Sequence, residues 1–128
     1  MMRPYLRHAL LLFALPALMA CSKPAPVAPA GLHGNPERGR IALMQYACHA
    51  CHQIPGITGA KVFVGPPLKG LAERKYIAGR LPVNPDNLVA WIRDPQKIDP
   101  LTAMPNLEVT QEHALDMTAY LLTPGDKP

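Results

Sequence analysis

Two cysteines three positions apart, with a histidine directly behind them, are the residues of this chain best suited to chemistry. The stretch "YACHACHQ", residues 46–53, holds Cys48, Cys51 and His52. Three chemistries use such a cluster. A redox dithiol of the thioredoxin kind sits between a strand and a helix in a βαβ unit, and no such strands can be read in this sequence. A structural zinc site needs four ligands, ordinarily a second Cys/His pair at short spacing, whereas His33 and His113 stand isolated from each other. The third chemistry is C-x-x-C-H, the covalent attachment of a c-type haem, in which both thiols add to the haem vinyl groups and His52 becomes the proximal iron ligand. His49 occupies one of the two intervening positions that this pattern leaves free, and is expected on the surface.

A haem iron has a second face. Met44, Met104 and Met117 are the methionines beyond residue 21. Met44 and Met117 fall on apolar helical stripes, where methionine ordinarily fills core. Met104 lies in "LTAMPN", an irregular segment stiffened by Pro105. A loop methionine opposite His52 gives His/Met ligation, which raises the reduction potential and leaves no open position, as electron transfer requires. His33 lies in a linker, and His113 is expected to be solvated in the first turn of a helix.

The elements that must position these residues are short. Asn35 caps a helix with Pro36 at its first position and Glu37 in its first turn, running up to Cys48. "QIPGITGAKVFVGPPLKG", residues 53–70, is too dense in Gly and Pro for a helix or a central strand. A short helix is expected over Leu68–Lys75. Asn84 and Pro85 start another, which "DNLVAWIRD" continues to a stop at Pro95. Thr110 caps a last helix through Leu122, with Ala114, Leu115, Thr118, Ala119 and Leu122 at helical spacing. No sheet is expected. With 5% aromatic residues and 16 prolines, a chain of 128 residues builds a thin core and long loops. A large flat apolar cofactor would fill the one and give the other something to wrap.

The start of the chain has a different character. Arg3 and Arg7 precede "ALLLFALPALMA", residues 9–20, an apolar run shorter than the roughly 20 residues needed to span a bilayer. This is the pattern of a secretory signal peptide over 1–20. "LMAC" resembles a bacterial lipobox, which would lipidate Cys21 and explain the odd third cysteine; several acyl chains hold a protein firmly to a membrane. Residues 21–35 then form a Pro/Ala-rich linker, residues 36–123 the folded domain and 124–128 a tail. From Lys23 to Arg80 there are eight basic and two acidic residues, and from Leu81 onward three basic and seven acidic. That asymmetry reads as a dipole rather than a nucleic-acid surface.

From Asn35 to Leu122 the chain resembles a class I cytochrome c. The shared order is Gly39 on a first helix, "CHACH", "VGPPLKGLAERK", "LVAWIRDP", "TAMPN" and a last helix containing "AYL". The segment "LPVNPDNLVAWIRDPQKIDPLTAMPN" is also similar to the cytochrome c domains of bacterial cytochrome oxidases. The resemblance implies an all-α fold of three to four short helices and long loops around one covalent haem c. It implies that Cys48 and Cys51 bind the haem, with His52 and Met104 as axial ligands. Pro66 would supply the carbonyl that receives the His52 ring N–H, Arg74 would lie near a haem propionate and Trp91 beside the methionine ligand. Gly39 and Tyr120 would mark the crossing of the first and last helices, with Leu43 where a Phe is common.

The reading that results is a monohaem one-electron carrier, not an enzyme, lipid-anchored on the periplasmic side of a bacterial membrane in a respiratory chain. Its partners would be a donor such as a quinol–cytochrome c reductase and an acceptor such as a terminal oxidase, with no nucleic acid. Two alternatives are a five-coordinate haem sensor or peroxidase-like enzyme, and a haem subunit of a larger oxidase or dehydrogenase.

Overall fold

A computed structural model describes residues 31–59 and 64–124. Four helices follow in order: α1 (Pro36–Gln45), α2 (Pro85–Arg93), α3 (Pro95–Ile98) and α4 (Gln111–Leu122). Each begins at a side chain that satisfies a free N–H of the first turn. Asn35 accepts from the Arg38 N–H, Asn84 from Asn87, Asp94 from Lys97 and Thr110 from His113. Pro36, Pro85 and Pro95 open the first three, where a missing N–H costs nothing.

Several local expectations are corrected. The first helix stops at Gln45 rather than at Cys48, because Ala47 turns into the left-handed region at φ 53°. Leu68–Lys75 forms turns, not a helix; Gly70 stands at φ +67°, incompatible with helical backbone. A small antiparallel pair does exist, β1 (Tyr76–Ile77) with β2 (Leu81–Pro82). The stop at Pro95 is also a start: Asp94 ends α2 and caps the one-turn α3. Met44 is exposed rather than core, whereas Met117 is fully buried.

The core forms where α4 lies against α1 and α2. Ala114 and every residue from Asp116 to Leu122 are buried. A helix covered on nearly all sides must be central. Leu43 of α1 and Leu88, Val89, Trp91 and Ile92 of α2 join the same cluster. Burying each large apolar side chain contributes about 2–3 kcal/mol. Gly39 sets the closeness of the crossing: a Cβ there would run into the backbone carbonyl of Asp116. What the glycine admits is thus the α4 backbone itself, and Tyr120 lies one turn further along. The end of the linker joins this packing, with Leu32 against the core. The expected signal peptide over 1–20 and the expected lipidation site at Cys21 lie outside the described residues.

Asp116 ties the start of the domain to α4. Its carboxylate accepts from the Asn35 backbone N–H at 2.6 Å, Arg38 Nε at 2.7 Å and Arg38 Nη2 at 3.0 Å. Burial alone pushes this carboxyl up; the bonds from Arg38 and Asn35 and the charges of Arg38 and His113 outweigh it and hold it below the usual carboxylate range. A group depressed in the folded state contributes stability above its unfolded pKa and loses it as pH falls through the folded one. Stability measured by denaturant titration should therefore decline below about pH 4. Asp116→Asn should be less stable at neutral pH and show a flatter acid limb; an acid limb identical to wild type would reject this role.

Candidate functional site

After Ala47 the chain makes a 3-10 turn over Cys48–Ala50. The Cys51 and His52 N–H groups both bond back to the Cys48 carbonyl, at 3.3 and 3.0 Å. This turn places both thiols and the imidazole on one short loop. Cys48 and Cys51 are half-buried free thiols. Burial pushes the Cys48 thiol up from its ordinary value, the Cys51 charge adds to this, and a backbone hydrogen bond offsets part of it. Reactive dithiols need the opposite shift. Among the described residues no group of three or more His, Cys, Asp or Glu is placed to hold a metal ion.

His52 is fixed from two directions. Its Nδ1 donates to the Pro66 carbonyl at 2.7 Å, the bond that the resemblance leads one to expect. In the neutral ring that bond sets the tautomer, with the proton on Nδ1 and the Nε2 lone pair available, the form an iron ligand requires. Gly65 lies flat against the ring: a Cβ on it would reach within 2.6 Å of Nδ1 and 2.8 Å of Nε2. The loop is further joined by Gly65 N–H to the Cys51 carbonyl at 2.9 Å and Leu68 N–H to the Gln53 carbonyl at 2.8 Å. Arg74 holds the next stretch, its Nη2 donating to the Pro67 and Lys69 carbonyls at 2.5 and 2.8 Å. Tyr120 of α4 donates to the Pro55 carbonyl at 2.6 Å, fastening the segment after His52 to the core. An open cleft of about 360 Å³ beside His52 is lined by Ile54, Pro55, Ile57, Gly59, Pro67 and Lys69, among others.

Met104 comes from a separate segment. It is half-buried and packs on the same apolar cluster that contains Trp91. Its N–H donates to Thr102 Oγ1 at 3.2 Å and its carbonyl accepts from Gln96 Nε2 at 2.7 Å. The structure thus brings Cys48, Cys51, His52, Pro66 and Arg74 into one bonded loop system, with Met104 and Trp91 on the core beside α2 and α3. This donor set fits a haem: paired thiols, an imidazole with one free nitrogen, a glycine where a side chain would crowd the ring, and a soft thioether.

Sequence reasoning missed Gly65, Gln96 and Thr102. For Gly65 the signal was in reach, as the small residue before the proline that accepts from His52. Two histidines also differ from expectation. His113 is half-buried, with Nδ1 3.0 Å from the Tyr46 hydroxyl and the rings edge to face, rather than solvated. His49 is not a surface residue but half-buried, and its Nδ1 has no partner among the described residues.

Comparison with known proteins adds a further observation. A family model described as Cytochrome c matches residues 37–124. The chain is similar to cytochrome c oxidase subunit 2 of Alkalihalophilus pseudofirmus (strain ATCC BAA-2126 / JCM 17055 / OF4), 38% identical over 86 residues, covering 66% of this chain and 24% of that protein. It is also similar to cytochrome c oxidase subunit 2 of Bacillus sp. (strain PS3), 30% identical over 86 residues, covering 64% of this chain and 24% of that protein.

Proposed function

The chain belongs to the cytochrome c family, and from that premise we propose that it is a one-electron carrier whose single haem c is attached at Cys48 and Cys51 and ligated by His52 and Met104. When bound, the haem supplies the ferric/ferrous couple. The protein's own residues hold and tune it. The thiols of Cys48 and Cys51 anchor the group, and Pro66 keeps the His52 ring in one tautomer and raises its basicity. Met104 would supply a thioether ligand to the iron. Trp91 packs in the core that carries Met104, and Arg74 braces the loop that carries Pro66. The observation that carries this reading is the His52–Pro66 hydrogen bond, which commits one ring nitrogen and reserves the other.

The carrier would work in a respiratory chain, receiving electrons from a donor such as a quinol–cytochrome c reductase. The names of the similar proteins support a terminal oxidase as acceptor. We also propose export by the signal stretch and anchoring through a lipidated Cys21 on the periplasmic side of a bacterial membrane. Among the described residues no helix is long and apolar enough to cross a membrane. The same names favour a second reading, in which the chain is a haem-bearing subunit of an oxidase; copurification with its complex in fixed ratio would distinguish it from a free carrier.

The test is the visible spectrum of the purified, reduced protein with and without carbon monoxide. A c-type spectrum that the gas leaves unchanged is expected. A clear shift would mean an open iron and would turn the reading to a five-coordinate sensor or peroxidase. Absence of haem bands, from cells able to attach the cofactor, would remove the reading of the Cys48–His52 stretch altogether.

A further inference from the structure

Gln96 stands on α3, half-buried, and reaches across to the loop eight residues ahead. Its Nε2 donates to the Met104 carbonyl at 2.7 Å. The other end of the amide, Oε1, is buried with no hydrogen-bond partner among the described residues. An unpaired buried acceptor is unfavourable, and an apolar side chain of the same volume would fill the place without that cost. What the amide provides and an apolar residue could not is a donor for the Met104 backbone.

That donor completes a set. Residue 104 is pinned at both its backbone groups, the N–H by Thr102 Oγ1 at 3.2 Å and the carbonyl by Gln96. The segment before it is gathered by Asp99. Its Oδ1 accepts from the Leu101 N–H at 3.2 Å, its carbonyl from the Thr102 N–H at 3.0 Å, and its Oδ2 pairs with Arg80 Nε at 3.0 Å. The base from which Gln96 reaches is itself fixed. Pro95 is fully buried, and Asp94 caps the turn through the Lys97 N–H at 3.3 Å. A loop with no regular secondary structure is therefore held in one conformation at the residue whose side chain matters most.

We propose that Gln96 is a positioning residue for the axial methionine: its amide holds the Met104 backbone so that the sulfur stays at the iron. This rests on the reading of Met104 as the ligand. Where release of the sulfur carries the 99–106 segment away from α3, that motion breaks the Gln96 bond. Removing a bond of this kind shifts an equilibrium by about tenfold. Carbon monoxide binds only the released form, so its apparent affinity scales with the released fraction.

The experiment uses the haem-loaded protein in four forms: wild type, Gln96→Leu, Gln96→Glu and Asn87→Leu. Gln96→Leu removes the donor at similar volume. Gln96→Glu keeps the shape but sets an acceptor against the carbonyl, and serves if the leucine variant does not fold. Asn87→Leu is the control, since Asn87 Nδ2 makes the same kind of bond, to the Pro82 carbonyl at 2.9 Å, with no hold on residue 104. Two quantities are read: the sulfur-to-iron charge-transfer band of the ferric form, and the carbon monoxide affinity of the reduced form. Both Gln96 variants should raise that affinity about tenfold or more and weaken the band, while Asn87→Leu leaves both at wild-type values. Wild-type values in both Gln96 variants would overturn the proposal, as would an Asn87→Leu effect of the same size, which would mean general loosening. A wild type without the band would instead reject Met104 as the ligand, a failure of the premise that is visible separately.

Discussion

Met104→Ala is expected to give a protein that folds and keeps its covalent haem but has lost one side of the iron. The potential should fall by on the order of 0.1 V or more, because a thioether favours the reduced metal and water does not. The reduced form should then take up carbon monoxide far more tightly than the wild type does. Folding should survive, since Met104 is only half-buried at the margin of the cluster that Met117, Leu43 and Trp91 fill. Redox titration and gas binding on the same preparation check both parts. If neither the potential nor the gas response moves, the sixth ligand is another residue or is absent.

Gly39→Ala should be the most damaging small substitution in the scaffold. Helix propensity alone argues the other way, as alanine is better than glycine inside a helix by about 1 kcal/mol. Against that, the added Cβ would collide with the Asp116 carbonyl and crowd the Met117 backbone nitrogen at 3.0 Å. Backbone cannot yield as a flexible side chain can, so the helices must separate, and overpacking of this kind costs about 3 kcal/mol. The net loss, about 2 kcal/mol, corresponds to a Tm lowered by about 10 °C in a domain of this size. A variant as stable as wild type, or more so, would show that propensity decides and that the crossing is loose.

These two residues mark how far the sequence could be read. The attachment loop was legible because its reactive groups are contiguous: Cys48, Cys51 and His52 carry their chemistry in their spacing. The caps were legible for the same reason, with Asn35–Pro36, Asn84–Pro85 and Thr110 each placing a helix start correctly. Met104 stood out by elimination among few methionines and by resemblance. What could not be read depended on where irregular backbone goes. The helix expected over Leu68–Lys75 is replaced by turns, because Gly70 takes a left-handed φ that a helix cannot hold. The pair Tyr76–Ile77 and Leu81–Pro82 is too short to show alternation. The Tyr46–His113 contact joins residues 67 apart, and nothing periodic announces it. Gln96 looked like any polar residue after a proline until the loop beyond it was seen to fold back.

The bond from the Asn35 N–H to Asp116 has a consequence for how such a domain can be carried. It sets the chain's point of arrival against the middle of α4. The helix ends at Leu122, six residues later, about 9 Å along its axis. Arrival and departure are thus neighbours, and everything between them is a closed circuit that returns nearly to its origin. A unit built so is portable: it can be hung from a tether or appended to a larger machine through either end without threading the chain back across the domain.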